Sequence, residues 1–509
     1  MKITPAWRVY ILGAILLISL TICSRHYSSR GAPSFMIPLA VAGIAYLLAI
    51  REFFSTPKFP KRAIIIGLGL AAVWQLLFLR LPPGPDDDIH RYLWDGRVQR
   101  LGYNPYTVVP SDPALAGLHT PETRTLNHPD LPSPYPPGAQ LFFRAVTAIH
   151  ESVFALKVAF VVCDWAIVFV LLDVLRRSGQ GAHWVLAYAW HPLLATEVAG
   201  SGHIDIVGAL LLLISVAALA RGRGVVADAA EKMCATTSAA KEVAEKVQQR
   251  SERRPPGLKP NSCCRTYAAL KGRSSTVIDA FRTVSAAGKA VTENRVLTAA
   301  RKRCATPNQS FFAAVAALAF ALAVSVKLLP IVLLPLYWKR IRVRDGVLAA
   351  VVFGLMYVPF LNHGRIPLGS LGTYVQSFRF NDPVFARLER VVAPQFVAGL
   401  AVLAGLLTAV WMARKSVASS DALAWPIAAS LLCAPVVYPW YLLWLLPFLR
   451  SASTLPLVIW TVSILSTYCI WHLRTLGHPW ILPGCVMLLE YGSVAIAGVI
   501  VGLRWIKRA

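Results

Sequence analysis

The residues best suited to chemistry cluster where the chain reads Pro82-Pro83-Gly84-Pro85-Asp86-Asp87-Asp88-Ile89-His90-Arg91-Tyr92-Leu93-Trp94-Asp95-Gly96-Arg97. Prolines end an apolar run, three carboxylates follow, and a helix is predicted over about 88–101, closed by Gly102. On that helix Asp88, Arg91 and Asp95 share one face, at i, i+3 and i+7. A carboxylate kept ionised by Arg91 and Arg97 is suited to act as a general base. One Asp is enough to cap a helix, so three in succession call for a further role. Metal binding is the weaker reading, because consecutive residues converge poorly on one ion without ligands from elsewhere.

The elements that position these residues follow from composition. Of 509 residues, 56% are hydrophobic and only 15% charged, and the mean hydropathy is +0.55. Ordinary soluble domains carry about 25% charged residues. A disordered chain, a fibre and a typical cytosolic enzyme are excluded, and apolar runs of spanning length recur along the chain. The fold class is all-α, a polytopic membrane protein of about 12–14 transmembrane helices. Apolar stretches lie at 9–24, 34–50, 63–81, 153–175, 184–200, 204–220, 311–326, 328–338, 346–361, 396–413, 422–434, 438–449, 455–473 and 484–503. The first is read as a retained signal anchor, since no A-x-A-like cleavage site follows it. Nine scattered cysteines, none at zinc-type spacing, read as free thiols and not as a disulfide framework.

The net charge of +26 is organised by side of the membrane. With the N-terminus in the cytoplasm, the short inner segments hold 18 Lys/Arg in 54 residues and the outer ones 12 in 130. The positive-inside rule then places both termini in the cytoplasm and segment 82–152 on the outer face. The expected organisation is helices in 1–81, an outer loop at 82–152 with amphipathic helices, helices in 153–220, a basic insert at 221–310, and helices in 311–509 with an outer loop at 362–395. The insert is net +11, rich in Ala, Ser and Thr, and reads as a poorly ordered cytoplasmic loop near anionic headgroups. It carries no nucleic-acid recognition motif.

The first outer loop resembles that of bacterial polyprenyl-phosphate-sugar-dependent glycosyltransferases of the GT-C superfamily, in particular the polyprenol-phosphate-mannose-dependent mannosyltransferases. The resemblance rests on Asp87 through Arg97 followed by Gly102-Tyr103-Asn104-Pro105-Tyr106. It continues in Asn127-His128-Pro129, Tyr135-Pro136-Pro137-Gly138-Ala139-Gln140, Gly202-His203-Ile204-Asp205, Lys327-Leu328-Leu329-Pro330 and Pro439-Trp440-Tyr441. It implies an inverting transfer of a hexose, mannose by the nearest likeness, from a polyprenyl-phosphate-sugar donor to a glycan or glycolipid acceptor. It implies a site on the outer, periplasmic face of a bacterial inner membrane, with Asp88, or else Asp87, as the base. Members often carry Tyr where His90 stands.

A leaving phosphate gains charge as its bond breaks, so cations should meet it: Arg91, Arg97, Lys327 and Arg379 are the candidates. Lys327 lies between two apolar runs, where a charge is costly. Asp95, Asn104, Tyr106, His128, Tyr135, His203 and Asp205 are candidates for substrate binding, and His203 with Asp205 could also serve an outer metal. Trp94, Trp440 and Tyr441 read as anchors or packing groups. No cofactor is required by these residues, and a divalent metal is left open. A transporter or flippase for a lipid-linked sugar is the alternative, since broken helices and a charged cavity serve both.

Overall fold

The computed structural model describes residues 5–56, 59–84, 87–221, 307–338, 340–415 and 419–506. The chain divides into two units, one of Met1–Leu219 with Ala314–Ala509 and one of Ala220–Ala313. The insert expected at 221–310 lies, but for its ends, outside the described residues. Described helices of nine residues or more are α1 (Pro5–Arg25), α2 (Pro33–Ser55), α3 (Lys61–Leu79), α4 (Ile89–Arg100), α5 (Pro137–Ile149), α6 (Val153–Arg177) and α7 (Asp205–Arg221). They continue with α8 (Pro307–Val326), α9 (Val343–Leu355), α10 (Pro394–Met412), α11 (Ser420–Leu432), α12 (Leu455–Ser463) and α13 (Gly484–Ile506). Among the described residues there is no strand, only two isolated bridges, Asn362 with Arg365 and Phe380 with Val436. The protein is an all-α polytopic membrane protein. Helices satisfy their own backbone, which hydrocarbon demands.

Among the described residues, eight helices are long and apolar enough to cross a membrane, or up to nine if a bent pair is one span. That is fewer than the fourteen apolar stretches in the sequence, for local reasons. The stretches at 184–200 and 204–220 yield a π-helical segment, Leu194–Ser201, and α7, bent by 120° about Gly202, whose φ is +77°. Pro330 and Pro335 restrict the next stretch to a 3-10 turn and a four-residue helix. Pro439 and Pro447 likewise leave 439–448 as 3-10 turns, because proline cannot donate to a continuing helix. Spanning helices turn Ile37, Leu76, Phe169, Phe396 and Leu488 outward, exposed as lipid-facing side chains must be.

Two features bring the polar elements together. Helix α4 packs on α5, and Ser133 and Gln140 donate to Asp95 on α4 (Gln140 at 2.8 Å). On α7, Gly208 lets the Trp444 ring lie flush: a Cβ there would sit 2.0 Å from Cη2. Trp444 in turn donates through Nε1 to Asp205 at 2.7 Å. Gly208→Ala is therefore expected to overpack this contact and cost about 1–3 kcal/mol. A lowered Tm of the purified protein in detergent is the check, and an unchanged Tm would show that Trp444 can move freely.

Candidate active site

Asp87 and Asp88 are neighbours in sequence and differ in every contact. Asp87 is buried and accepts from Arg30 Nη2 at 3.0 Å and from the Gly84 N–H at 2.6 Å. Arg30, in the turn between α1 and α2, also donates to Ser201 Oγ at 2.7 Å and lies over the Tyr27 ring. Asp88 occupies the residue before α4, yet its side chain makes no capping hydrogen bond. It accepts from Asn127 Nδ2 at 2.9 Å, and its charge acts on the Tyr135 phenol. Burial first, then the Asp88 charge, push the Tyr135 phenol well above its usual range, so it remains a donor. The Asn127 amide holds the Asp88 carboxylate and leaves it lone pairs for further partners.

His203 sits at the bend before α7. Its Nδ1 is 2.8 Å from Glu197 Oε2, and its ring stacks on Trp440 with centroids 4.0 Å apart and planes 8° apart. Trp440 stacks in turn on Tyr438, at 4.3 Å. Lys327, just past α8, donates to Asp205 at 2.7 Å, and its ammonium lies 3.4 Å from the centre of the Tyr441 ring. The Tyr441 hydroxyl is paired with that of Tyr374. The result is a buried ion pair of Lys327 and Asp205 under Tyr441 and Trp444, beside the flat aromatic stack of His203, Trp440 and Tyr438.

Other candidates are tied to the loop itself. Arg91 donates to Asp95 (3.1 Å), to the His128 carbonyl (3.3 Å) and to the Leu131 carbonyl (2.6 Å). It pins the segment that carries Asn127. Asp95 is fully buried, and burial pushes its carboxyl up against the pull of Arg91, Ser133 and Gln140. Arg97 pairs with Glu151. Arg379 pairs with Glu389 at 2.8 Å and donates to three carbonyls of its own segment. The Asn104 amide donates to the Phe360 carbonyl, and the Tyr106 hydroxyl to the Tyr135 carbonyl. His128, at φ +47°, packs edge-on against Phe378.

The structure thus gathers Asp88, Tyr135, His203, Asp205 and Lys327, and sets Arg97 and Arg379 into ion pairs of their own. Arg30, Asn127, Glu197, Tyr374 and Tyr438 were missed as site residues by sequence reasoning. Asn127-His128-Pro129 was a motif signal for one of them, and Glu197 stood near His203, while Arg30 gave no local signal. Among the described residues no group of three or more His, Cys, Asp or Glu is placed to hold a metal ion.

Residues 14–247 match the family model for the N-terminal domain of alpha-(1->6)-mannopyranosyltransferase. Over that span, just under half of the chain, it is similar to this mannosyltransferase family, of GT-C type. No curated protein and no solved structure matches the chain. The matched span includes α4, α5, Asp87 and Asp88 of the first loop, and the bend with His203 and Asp205. Lys327 and the Trp440 stack lie beyond it and reach the same site through Asp205 and His203. The protein is a multi-pass membrane glycosyltransferase.

Proposed function

We propose that the protein transfers mannose, with inversion, from a polyprenyl-phosphate donor to a glycan or lipid-linked acceptor at the outer face of a bacterial inner membrane. The observation that carries this reading is Asp88, a carboxylate at the head of α4 that neither caps its helix nor pairs with Arg30 and is held by Asn127 instead. Asp88 takes the proton of the acceptor hydroxyl as that oxygen attacks the anomeric carbon. The bond from that carbon to the phosphate oxygen breaks, and its electron pair leaves with the polyprenyl phosphate. Lys327 meets the charge that develops there. Tyr438, the partly exposed end of the stack on Trp440 and His203, offers the sugar a flat apolar face with a polar edge.

The reading is tested with purified protein in lipid, radiolabelled polyprenyl-phosphate-mannose and a mannoside acceptor. Transfer with the anomeric configuration reversed in the product supports it. Retained configuration overturns inversion. Absence of transfer, with labelled lipid crossing the bilayer instead, favours a flippase.

Lys327→Gln is expected to lower kcat by about 10²-fold, the scale of losing one donor to a developing anion. Asp205 is then left buried without its cation. The double variant Lys327→Gln/Asp205→Asn should recover stability and stay slow. Recovered activity in the double variant would assign Lys327 to holding Asp205 alone.

A further inference from the structure

Helix α13 turns most of its length outward, with Leu488, Leu489, Ile496 and Val499 exposed as lipid-facing residues are, yet Glu490 near its start is fully buried. A carboxyl group on a spanning helix is costly and marks a functional position by default. We propose that Glu490 is a positioning residue for the transfer: through Asn381 it fixes the Tyr438 ring, the face that carries the sugar on the reading above.

Asn381 is held at both its side chain and its main chain. Its amide donates through Nδ2 to Glu490 Oε1 at 3.0 Å and to Oε2 at 3.1 Å. Trp460 on α12 donates through Nε1 to Glu490 Oε1 at 2.7 Å, which keeps the carboxyl group in place. The next residue on α13, Tyr491, donates its hydroxyl to the Asn381 carbonyl at 2.8 Å. Asn381 has a φ of +54°, in the left-handed region that asparagine tolerates better than most residues. A backbone in that region persists where its surroundings over-determine it, and Glu490 and Tyr491 supply those surroundings.

From Asn381 the path to the site is short. Its neighbour Phe380 accepts from the Val437 N–H at 2.9 Å and donates to the Pro435 carbonyl at 3.2 Å, which pairs it with Val436. Tyr438 follows directly, and its ring lies 4.6 Å from that of Phe380 between centroids. Tyr438 also stacks on Trp440 at 4.3 Å, and Trp440 on His203 at 4.0 Å. Tyr438 is partly exposed while Trp440 and His203 are buried, so the ring that these contacts hold is the one a ligand reaches. The path bypasses Asp88 and Lys327, whose partners are Asn127 and Asp205. Loss of Glu490 should therefore act on sugar binding and not on the chemical step.

The ring is observed directly by fluorine NMR of the full-length protein in nanodiscs, with Tyr438 replaced by fluorotyrosine. The parent protein is expected to give one line displaced by the ring currents of Phe380 and Trp440. In Glu490→Leu that line should move toward the position of the free amino acid or split. It should do the same in Asn381→Gly, which leaves α13 intact and keeps the positive φ without the amide. The reciprocal variant Asn381→Asp/Glu490→Gln restores a carboxyl–amide pair in the opposite sense and should return the line. In the transfer assay Glu490→Leu should raise KM for the donor about tenfold and change kcat by less than about twofold, the pattern of lost ground-state binding. Added to Tyr438→Ala it should have no further effect on KM, since both act through one ring. A line unmoved in both single variants overturns the proposal. So does a moved line with normal donor KM where Tyr438→Ala raises that KM. A fall in kcat and Tm with KM unchanged also overturns it and leaves Glu490 a structural role. A normal donor KM in Tyr438→Ala would instead take the sugar off the stack in the reading above, with the moved line still assigning Glu490 to Tyr438.

Discussion

Asp88→Asn is expected to lower kcat for mannosyl transfer by about 10²- to 10⁴-fold, the usual contribution of a positioned general base. The amide keeps the shape of the carboxylate and can still accept from Asn127 or Tyr135, so the fold should be retained and the Tm should move little. KM for the donor should change less than kcat, since the lost interaction is with the acceptor proton in the transition state. Steady-state transfer assays on the variant, with Tm measured alongside, separate the two outcomes. Near-normal kcat in Asp88→Asn, with loss confined to Asp87→Asn, would move the base by one residue. Equal loss of Tm and kcat would reduce Asp88 to a structural role.

The second large effect is on stability. Arg30 and Asp87 are each less than a tenth exposed, with side-chain exposures of 6% and 5%. Removing one partner strands the other as a buried charge, a loss of about 3–5 kcal/mol. Arg30→Met should therefore lower Tm sharply, and activity should fall with it because the loop entering α4 loses its anchor on Ser201 and Tyr27. The double variant Arg30→Met/Asp87→Leu should regain much of that stability, since apolar replacement of both partners of a buried pair is often neutral. The two aspartates then divide cleanly: Asp88 variants lose rate and keep stability, Asp87 variants lose stability first. If Arg30→Met and the double variant melt alike, the buried charge is not the cause.

Long apolar runs in water-poor surroundings leave the backbone one good solution, the helix, so the all-α membrane class was legible from hydropathy alone. The start of α4 after Asp88 was legible too, because prolines, carboxylates and Gly102 are local signals. So was the break near Pro439, where the missing N–H interrupts any helix. The number of spans was less legible, since a run of apolar residues does not record a bend of 120° at Gly202 or a turn tightened into 3-10 form. The motif in the first loop marked the region of Asp87 and Asp88 but could not divide their roles.

Tertiary structure decided their different contacts. Adjacent side chains leave the backbone in different directions, and which one finds a cation depends on Arg30, 57 residues upstream in another turn. Lys327 meets Asp205 across 122 residues, and Trp444 meets it across 239. Arg97, Arg379 and Lys327 looked equally available in the sequence, but folding sets Glu151, Glu389 and Asp205 against them. Charge and hydropathy are properties of single residues and short runs, and they fix class and local elements. Pairing between distant side chains depends on which helices pack together, and only the folded chain settles whether a given cation faces a substrate or a carboxylate of its own.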